Sequence, residues 1–191
     1  MKVLIISDAW HPQVNGVVRT YEHIGAELVN LGHIVKVIGP GDFPLTVPLP
    51  GYPEIRLAVA PYRRLKRMIE DYKPDHIHMA VEGPLGWAGR RYCIRHSQPF
   101  TTSHHTQFPD YLAKRLAKYL PVLYDAVHRA GKKWVQHFHA HSNAMMVATQ
   151  SLEDMLQAWD FKVPIHRVTR GARLDIFYPG EKTLFKDLQR P

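Results

Sequence analysis

The sequence has a single cysteine, Cys93, among its 191 residues, so no disulfide can form within the chain and a reducing cytoplasm is the simplest compartment. It also lacks any apolar run near the roughly 20 residues that a membrane-spanning helix requires. The glycine-rich dinucleotide fingerprint, the P-loop, the Cys-x-x-Cys pair and the serine nucleophile elbow are missing as well. A dinucleotide-dependent enzyme, such as a dehydrogenase or an epimerase, is therefore the weakest of the candidate functions.

Acidic residues are fewer than basic ones, 17 against 25, which gives a formal net charge of +8. A basic balance suits nucleic acid, anionic lipid head groups or phosphate-bearing small molecules, and by itself it does not choose among them. Aromatic residues are not interleaved with Lys and Arg as single-strand binding would require, and no DNA-reading motif occurs. We expect no nucleic-acid partner, while a non-catalytic basic module for an anionic membrane or nucleic acid remains the alternative function.

Strand-like apolar runs alternate with amphipathic segments along most of the chain. The first run, residues 3–7, is typical of a strand buried on both faces of a parallel sheet. Gly32 marks the end of a helix over residues 17–31, and a strand over residues 34–38 follows it. Further helices are predicted over residues 62–72, 86–96, 108–118, 121–138 and 151–159, and further strands near 55–57 and over 75–79, 100–103, 144–148 and 165–168. This order predicts an α/β fold: a single Rossmann-like, doubly wound, mostly parallel sheet flanked by helices.

Asn15 and Gly16 stand between the first predicted strand and the first helix. A glycine lets the backbone approach a ligand closely, and the unpaired amides of a helix N-terminus favour phosphate. An ordinary turn explains the same pair of residues, so the two interpretations both stay open.

Two further candidate sites follow predicted central strands, where ligands bind in this architecture. An imidazole from His104 or His105 could hydrogen-bond a hydroxyl, orient a substrate or move a proton, but a satisfied core histidine explains either residue equally well. Glu82 could hold a hydroxyl or a base, or it could simply cap the helix that Pro84 begins.

The segment 111–120 carries apolar and basic side chains on different helical faces. This pattern favours a membrane-surface helix, supported by Arg63, Arg64, Lys66 and Arg67, but it equally suits a core-facing helix with a solvated basic side. His137, His139 and His141 alternate and would share a face only on a strand. Because their segment is predicted to be helical at its start and no carboxylate partner is expected nearby, we expect no metal site there.

Five segments, in order along the chain, resemble the N-terminal domain of the family-4 retaining glycosyltransferases, which have the two-domain GT-B architecture. The closest resemblance is to the bacterial mannosyltransferase-like and glycolipid glycosyltransferases. The segments are SDAWHP at 7–12, NGVVRT at 15–20, EGPLG at 82–86, SHHTQFPDY at 103–111 and the stretch from Arg170-Gly171 to Pro179. The chain departs from the family pattern at Arg173, where the hinge segment usually has Asp.

The resemblance implies an acceptor-side Rossmann-like domain over residues 1–170 and a hinge over 171–191, leading to a C-terminal nucleotide-sugar-binding domain that is absent from this chain. The parent enzyme would transfer mannose or another hexose, with retention, from a nucleoside-diphosphate sugar to a lipid or carbohydrate acceptor. No metal and no other cofactor is implied, and the 191 residues alone are expected to give no transfer. The expected location is cytoplasmic, peripheral at the inner face of the plasma membrane.

The resemblance also implies residue roles. His105 would be the catalytic residue, in contact with the donor sugar and the acceptor. The donor-binding residues would be Asn15, Gly16, Val17, Arg170 and Gly171. The acceptor-binding residues would be Arg19, Glu82, Gly83 and His104.

Overall fold

Six parallel strands form one sheet at the centre of this computed structural model, which describes residues 1–49, 52–105 and 124–169. The strands are β1 (Lys2–Ile6), β2 (Ile34–Ile38), β3 (Thr46–Leu49), β4 (Tyr52–Ala58), β5 (His76–Met79), β6 (Phe100–His104), β7 (Ala144–Val147) and β8 (Ile165–Arg167). The helices are α1 (Gly16–Asn30), α2 (Tyr62–Tyr72), α3 (Pro84–Arg95), α4 (Tyr124–His139) and α5 (Gln150–Ala158), with a 3-10 turn at Pro40–Asp42. The sheet order is β2-β1-β5-β6-β7-β8, with β3 and β4 forming a separate antiparallel pair. The predicted fold class is confirmed.

Strand β1 is buried on both faces, as its continuous apolar run predicts. Leu4 and Ile6 face one core, to which α2 contributes Leu65 and Ile69 and α3 contributes Leu85. Val3 and Ile5 face the other side, where Tyr21 of α1 packs against them. Helices therefore cover both faces of the sheet, and this is the arrangement that doubly wound α/β proteins require.

Helix α1 begins and ends at residues that suit those positions. The Asn15 side chain accepts hydrogen bonds from the amides of Val17 and Val18, at 2.9 and 3.0 Å, which caps the helix N-terminus. After the helix, Gly32 adopts the left-handed conformation with φ of +82°, which an L side chain rarely tolerates. The observed bounds lie within one residue of the prediction because both signals are local.

The order in which strands are added to the sheet reverses at β1. From β1 the chain moves outward to β2, and it later returns to the opposite side of β1 to form β5. In open α/β sheets, ligands bind in the crevice at the carboxyl ends of the strands where the strand order reverses. The residues that follow β1, β5 and β6 therefore lie at the edge where a site is expected.

The region between β2 and α2 corrects the sequence interpretation, which had only a short strand near Ile55. The structure forms a β-hairpin from β3 and β4, and its register shifts between Pro48 and Leu49. Proline has no backbone amide to donate, so Pro48 weakened the strand signal while the fold accommodates it at an irregular ladder position. The predicted helix over 108–118 lies outside the described residues, as do residues 170–191, so the predicted domain boundary at 170 stays a prediction.

Among the described residues, none of the helices combines the length and apolar character that spanning a bilayer would require.

Candidate functional site

Asp8 follows β1 and fastens the start of α3 to the carboxyl edge of the sheet. Its side chain is buried and accepts hydrogen bonds from the amides of Leu85 (2.9 and 3.1 Å) and Gly86 (3.2 Å). A helix N-terminus favours a carboxylate at this place. A Cβ on Gly83 would lie 2.3 Å from the Asp8 carboxyl carbon. The absence of a side chain at Gly83 therefore allows Asp8 to reach the start of α3. The acceptor-binding role of Gly83 stays a prediction.

Burial raises the pKa of Asp8 to about 7, although the amides of Leu85 and Gly86 act in the opposite direction. The folded protein therefore holds this proton to higher pH than the unfolded chain, whose aspartate has a pKa near 3.8. The stability contributed by this group is complete below the unfolded pKa and is lost as the pH rises through the folded one. The full shift corresponds to up to about 4 kcal/mol.

The pH dependence of unfolding tests this assignment. Asparagine at position 8 does not titrate, so we expect Asp8→Asn to lose less free energy of unfolding than the unsubstituted protein as the pH rises from about 5 to about 8. Urea unfolding of both proteins at several pH values measures the difference. If the two proteins give parallel pH curves, Asp8 does not titrate in this range.

Glu82 follows β5 and lies in contact with two buried histidines from distant parts of the chain. Its Oε1 is 2.6 Å from Nδ1 of His104 and 3.2 Å from Nε2 of His139. The other ring nitrogen of His139 lies 2.7 Å from the hydroxyl of Thr102. Among the described residues no donor reaches Oε2 of Glu82, and the side chain is 16% exposed. The cluster therefore holds one carboxylate oxygen of Glu82, and the other has no hydrogen bond within the described residues.

The protonation states within this cluster follow from burial and hydrogen bonding. Burial alone would raise the pKa of Glu82, but the hydrogen bonds from His104 and His139 outweigh it and hold the pKa well below its usual range. Burial lowers the pKa of His139, so its ring is neutral near pH 7. A neutral ring that donates from Nε2 to Glu82 carries no proton on Nδ1, the nitrogen that lies 2.7 Å from the Thr102 hydroxyl. Glu82 is therefore an ionised carboxylate.

Glu82, His104 and His139 are also the group of described residues best placed to hold a metal ion, because their ligand atoms lie within 4.8 Å of one another. Their separations as they stand, 2.6 and 3.2 Å from Glu82, are those of hydrogen bonds. The expectation that His139 has no carboxylate partner is wrong. Glu82 stands 57 positions away in the sequence and is brought to His139 by the fold.

A second polar cluster lies on the α1 side of the sheet and includes His105. Nε2 of His105 is 3.2 Å from the hydroxyl of Tyr21, which is 2.8 Å from Nε2 of His78. Nδ1 of His78 is in turn 2.8 Å from the hydroxyl of Thr101. Burial lowers the pKa of His78 to about 3 and raises that of Tyr21. His78 and Tyr21 are therefore uncharged at neutral pH, and the hydrogen bond with Tyr21 orients the His105 ring.

His104 and His105 point to opposite faces at the end of β6, as successive strand residues do. His104 is 1% exposed and contacts Glu82, whereas His105 is half-buried beside Tyr21. Of the two, His105 is the histidine better able to reach a ligand. Glu82 and His105 share the carboxyl edge of the sheet but make contacts on different faces of it.

The donor-binding candidates at α1 lie at the N-terminus of that helix. Asn15 occupies the amides of Val17 and Val18, and Gly16 is the first residue of the helix. Arg19 pairs with Glu22 at 3.0 Å on the exposed side of α1. Arg170 and Gly171 lie outside the described residues. The donor-binding roles at α1 therefore stay predictions. Of the predicted acceptor-binding residues, the structure brings Glu82 and His104 into contact.

Sequence reasoning missed His139, Tyr21 and His78 as members of these clusters. His139 stands next to Phe138 on the buried face of α4, and Tyr21 stands on the buried face of α1. For these two residues the only available signal was a polar side chain on an apolar helix face, and it does not identify the partner.

Comparison with known proteins gives three kinds of similarity. Residues 14–176 match the family model described as Glycosyltransferase Family 4. The chain is 24% identical over 200 residues to a GDP-mannose-dependent alpha-mannosyltransferase of Mycobacterium tuberculosis, covering 95% of this chain and 50% of that protein. It is 24% identical over 199 residues to the alpha-monoglucosyldiacylglycerol synthase of Acholeplasma laidlawii, covering 96% of this chain and 49% of that protein. The chain thus spans about half the length of the curated relatives it matches.

Among solved structures, the chain is similar to the sucrose-phosphate synthase of Thermosynechococcus elongatus, with a TM-score of 0.61. The sequence identity is 16%, and the match covers 94% of this chain and 50% of that one. A likeness at this identity concerns the fold alone, and it agrees with the Rossmann-like sheet described above. The family match covers most of the sequence and includes the segments that carry Asn15, Glu82 and His105. The chain belongs to glycosyltransferase family 4.

Proposed function

We propose that this chain is the acceptor-side half of a retaining glycosyltransferase that moves a hexose from a nucleoside-diphosphate sugar to a lipid or carbohydrate acceptor. Family membership supports the reaction class, and the relatives named above as a mannosyltransferase and a glucosyldiacylglycerol synthase support a hexose and a lipid acceptor. The observation that carries the proposal is the ionised Glu82 at the carboxyl edge of the sheet.

Glu82 is suited to bind a hydroxyl of the acceptor. Its Oε1 is held by His104 and His139, which fixes the carboxylate, while Oε2 has no donor among the described residues. A hydroxyl that donates to Oε2 would be oriented without further reorganisation of the side chain. Positioning of this kind is a large part of what a transferase must supply.

The donor is proposed to bind beside α1 and His105. The N-terminus of α1 carries partial positive charge that favours a diphosphate, but Asn15 already accepts from two of its amides. The diphosphate would therefore approach the amide of Gly16 or displace the Asn15 side chain. His105, held by Tyr21, would contact the transferred sugar, and Arg170 with Gly171 would border the cleft.

The remaining partners belong to the same proposal. A second Rossmann-like domain would bind most of the nucleotide, so the 191 residues alone would give no measurable transfer. The enzyme would work in the cytoplasm, peripherally at an anionic membrane surface, without a metal or other cofactor. The basic balance of the chain supports contact with that surface.

A transfer assay on the full-length enzyme tests the proposal. Purified enzyme is incubated with GDP-mannose or UDP-glucose and a diacylglycerol or glycolipid acceptor, with and without EDTA, and the anomeric configuration of the product is read by NMR. We expect a retained configuration and a rate that EDTA does not change. An inverted product, or the absence of transfer from every donor tried, contradicts the proposal, and loss of the rate with EDTA contradicts its metal-free part.

A further inference from the structure

A cavity of about 790 Å³ opens between the start of α2 and one side of α3, and none of its lining residues belongs to the Glu82 cluster. Its walls combine positive charge with aromatic surface. The charged residues are Arg63, Arg90, Arg91 and Arg95, and the aromatic ones are Tyr62 and Trp87. The remaining lining residues are apolar and include Ile94, which is 40% exposed.

Three of the four arginines, Arg90, Arg91 and Arg95, are held by contacts that do not neutralise their charge. Arg90 donates to the backbone carbonyls of Phe138 and His137, at 2.8 and 2.7 Å. The guanidinium groups of Arg91 and Arg95 lie 4.7 and 5.8 Å from the centre of the Tyr62 ring. Within residues 1–49, 52–105 and 124–169, no carboxylate forms an ion pair with any of the four. The cavity is therefore a site of fixed positive charge.

This arrangement favours an anionic amphiphile over other acidic ligands. Guanidinium groups bind phosphate oxygens well, while Ile94, Trp87 and the alanine and proline residues of the wall offer apolar contact that a free phosphate cannot use. A nucleic acid needs exposed aromatic faces for stacking. Here guanidinium groups lie over the Tyr62 ring, and His137 stacks on Trp87 with ring centres 5.6 Å apart.

Helix α2 carries further basic residues that do not line this cavity. Arg64 donates to the backbone carbonyl of Asp42, Lys66 lies 3.6 Å from Glu70, and Arg67 is exposed. Arg64 and Arg67 provide a control of equal charge on the helix beside α3, because a general attraction to an anionic surface would depend on them as much as on Arg91 and Arg95.

We propose that the cavity between α2 and α3 binds the phosphate head group of an anionic phospholipid, with Arg91 and Arg95 contacting the phosphate and Ile94 and Trp87 contacting the glycerol and acyl region. This inference rests on the membrane contact in the proposed function and specifies where it occurs. It does not involve the sugar-transfer site.

Vesicle binding of the 191-residue chain tests the inference. Vesicles of phosphatidylcholine with phosphatidylglycerol are compared with vesicles of phosphatidylcholine alone, using co-sedimentation. Removal of two surface charges costs about 2 kcal/mol of membrane affinity wherever they lie. We expect Arg91→Gln with Arg95→Gln to bind about tenfold more weakly than Arg64→Gln with Arg67→Gln, which removes the same charge. Thermal unfolding checks that both pairs of substitutions leave the fold intact.

The chemistry of the ligand is tested by a second measurement on the same chain. The side-chain NMR signals of the arginines are followed during titration with dihexanoyl phosphatidylglycerol or with inorganic phosphate, and Ile94→Ser is compared with the unsubstituted protein. We expect tighter binding of the lipid than of phosphate, and Ile94→Ser should weaken the binding of the lipid alone.

Equal losses of vesicle affinity in the two double variants, or equal affinity for lipid and phosphate, would overturn the inference. Either result leaves the transfer assay above unaffected, so the two proposals fail separately.

Discussion

Replacing His105 with alanine in the full-length enzyme is expected to lower sugar transfer by about a hundredfold or more, the usual contribution of a positioned imidazole. The physical reason is that the ring stands half-buried at the end of β6 and is oriented by the Tyr21 hydroxyl at 3.2 Å. The fold should survive, because Tyr21 keeps its hydrogen bond to His78 at 2.8 Å when the imidazole is removed. Initial rates at saturating donor and acceptor measure the effect.

The control for this substitution is His23→Ala, which removes an exposed histidine from α1 and should leave the rate unchanged. Far-ultraviolet circular dichroism and the melting temperature establish that both variants are folded. If His105→Ala transfers sugar at the unsubstituted rate, His105 has no catalytic role, and the site must be sought elsewhere on the carboxyl edge.

The second large effect is expected from Glu82→Gln, which should lower kcat/KM for the acceptor by about ten- to a hundredfold. The amide oxygen of glutamine can still accept from His104 and His139, so the cluster is preserved. The outward oxygen, however, becomes an amino group that can no longer accept from a hydroxyl. The loss of a hydrogen bond to a charged group, about 1.5 to 3 kcal/mol, corresponds to the expected factor.

This substitution distinguishes acceptor binding from a structural role. The KM of the nucleotide sugar should stay the same, and Glu70→Gln, which removes a carboxylate paired with Lys66 on the surface of α2, should change neither constant. A Glu82→Gln enzyme with unchanged acceptor kinetics would assign Glu82 to the structure alone. A comparable increase in the KM of the nucleotide sugar would indicate that Glu82 contacts the donor.

Sequence reasoning located the elements well where their signals are local. The Asn15 cap, Gly32 in the left-handed conformation and the apolar run of β1 each act within a few residues, and the bounds of α1 and β1 agree with prediction to one or two residues. The β3–β4 hairpin was missed because its ladder tolerates Pro48 at an irregular position, an adjustment made between two strands and not within one.

The candidate site was only half predictable for a related reason. The predicted order of elements implied that Glu82, His104 and His105 lie at or just after strand ends at the ligand-binding edge, and the structure places them there. That His104 turns inward to Glu82 and His105 towards Tyr21 depended on which face each residue of β6 presents. Neither the partner nor the burial of a histidine can be read from its own segment.

The sequence by itself determined the α/β fold class, the order of its elements and the family, because alternating strand and helix patterns and five spaced segments are properties of the chain in one dimension. Only the tertiary structure decided that Glu82, His104 and His139 form one cluster, that Asp8 holds the start of α3, and that four arginines line one cavity. The hydrogen bonds of Glu82 and Asp8 join residues 22 to 78 positions apart, and the packing of helices on the sheet, rather than any local preference, brings them together.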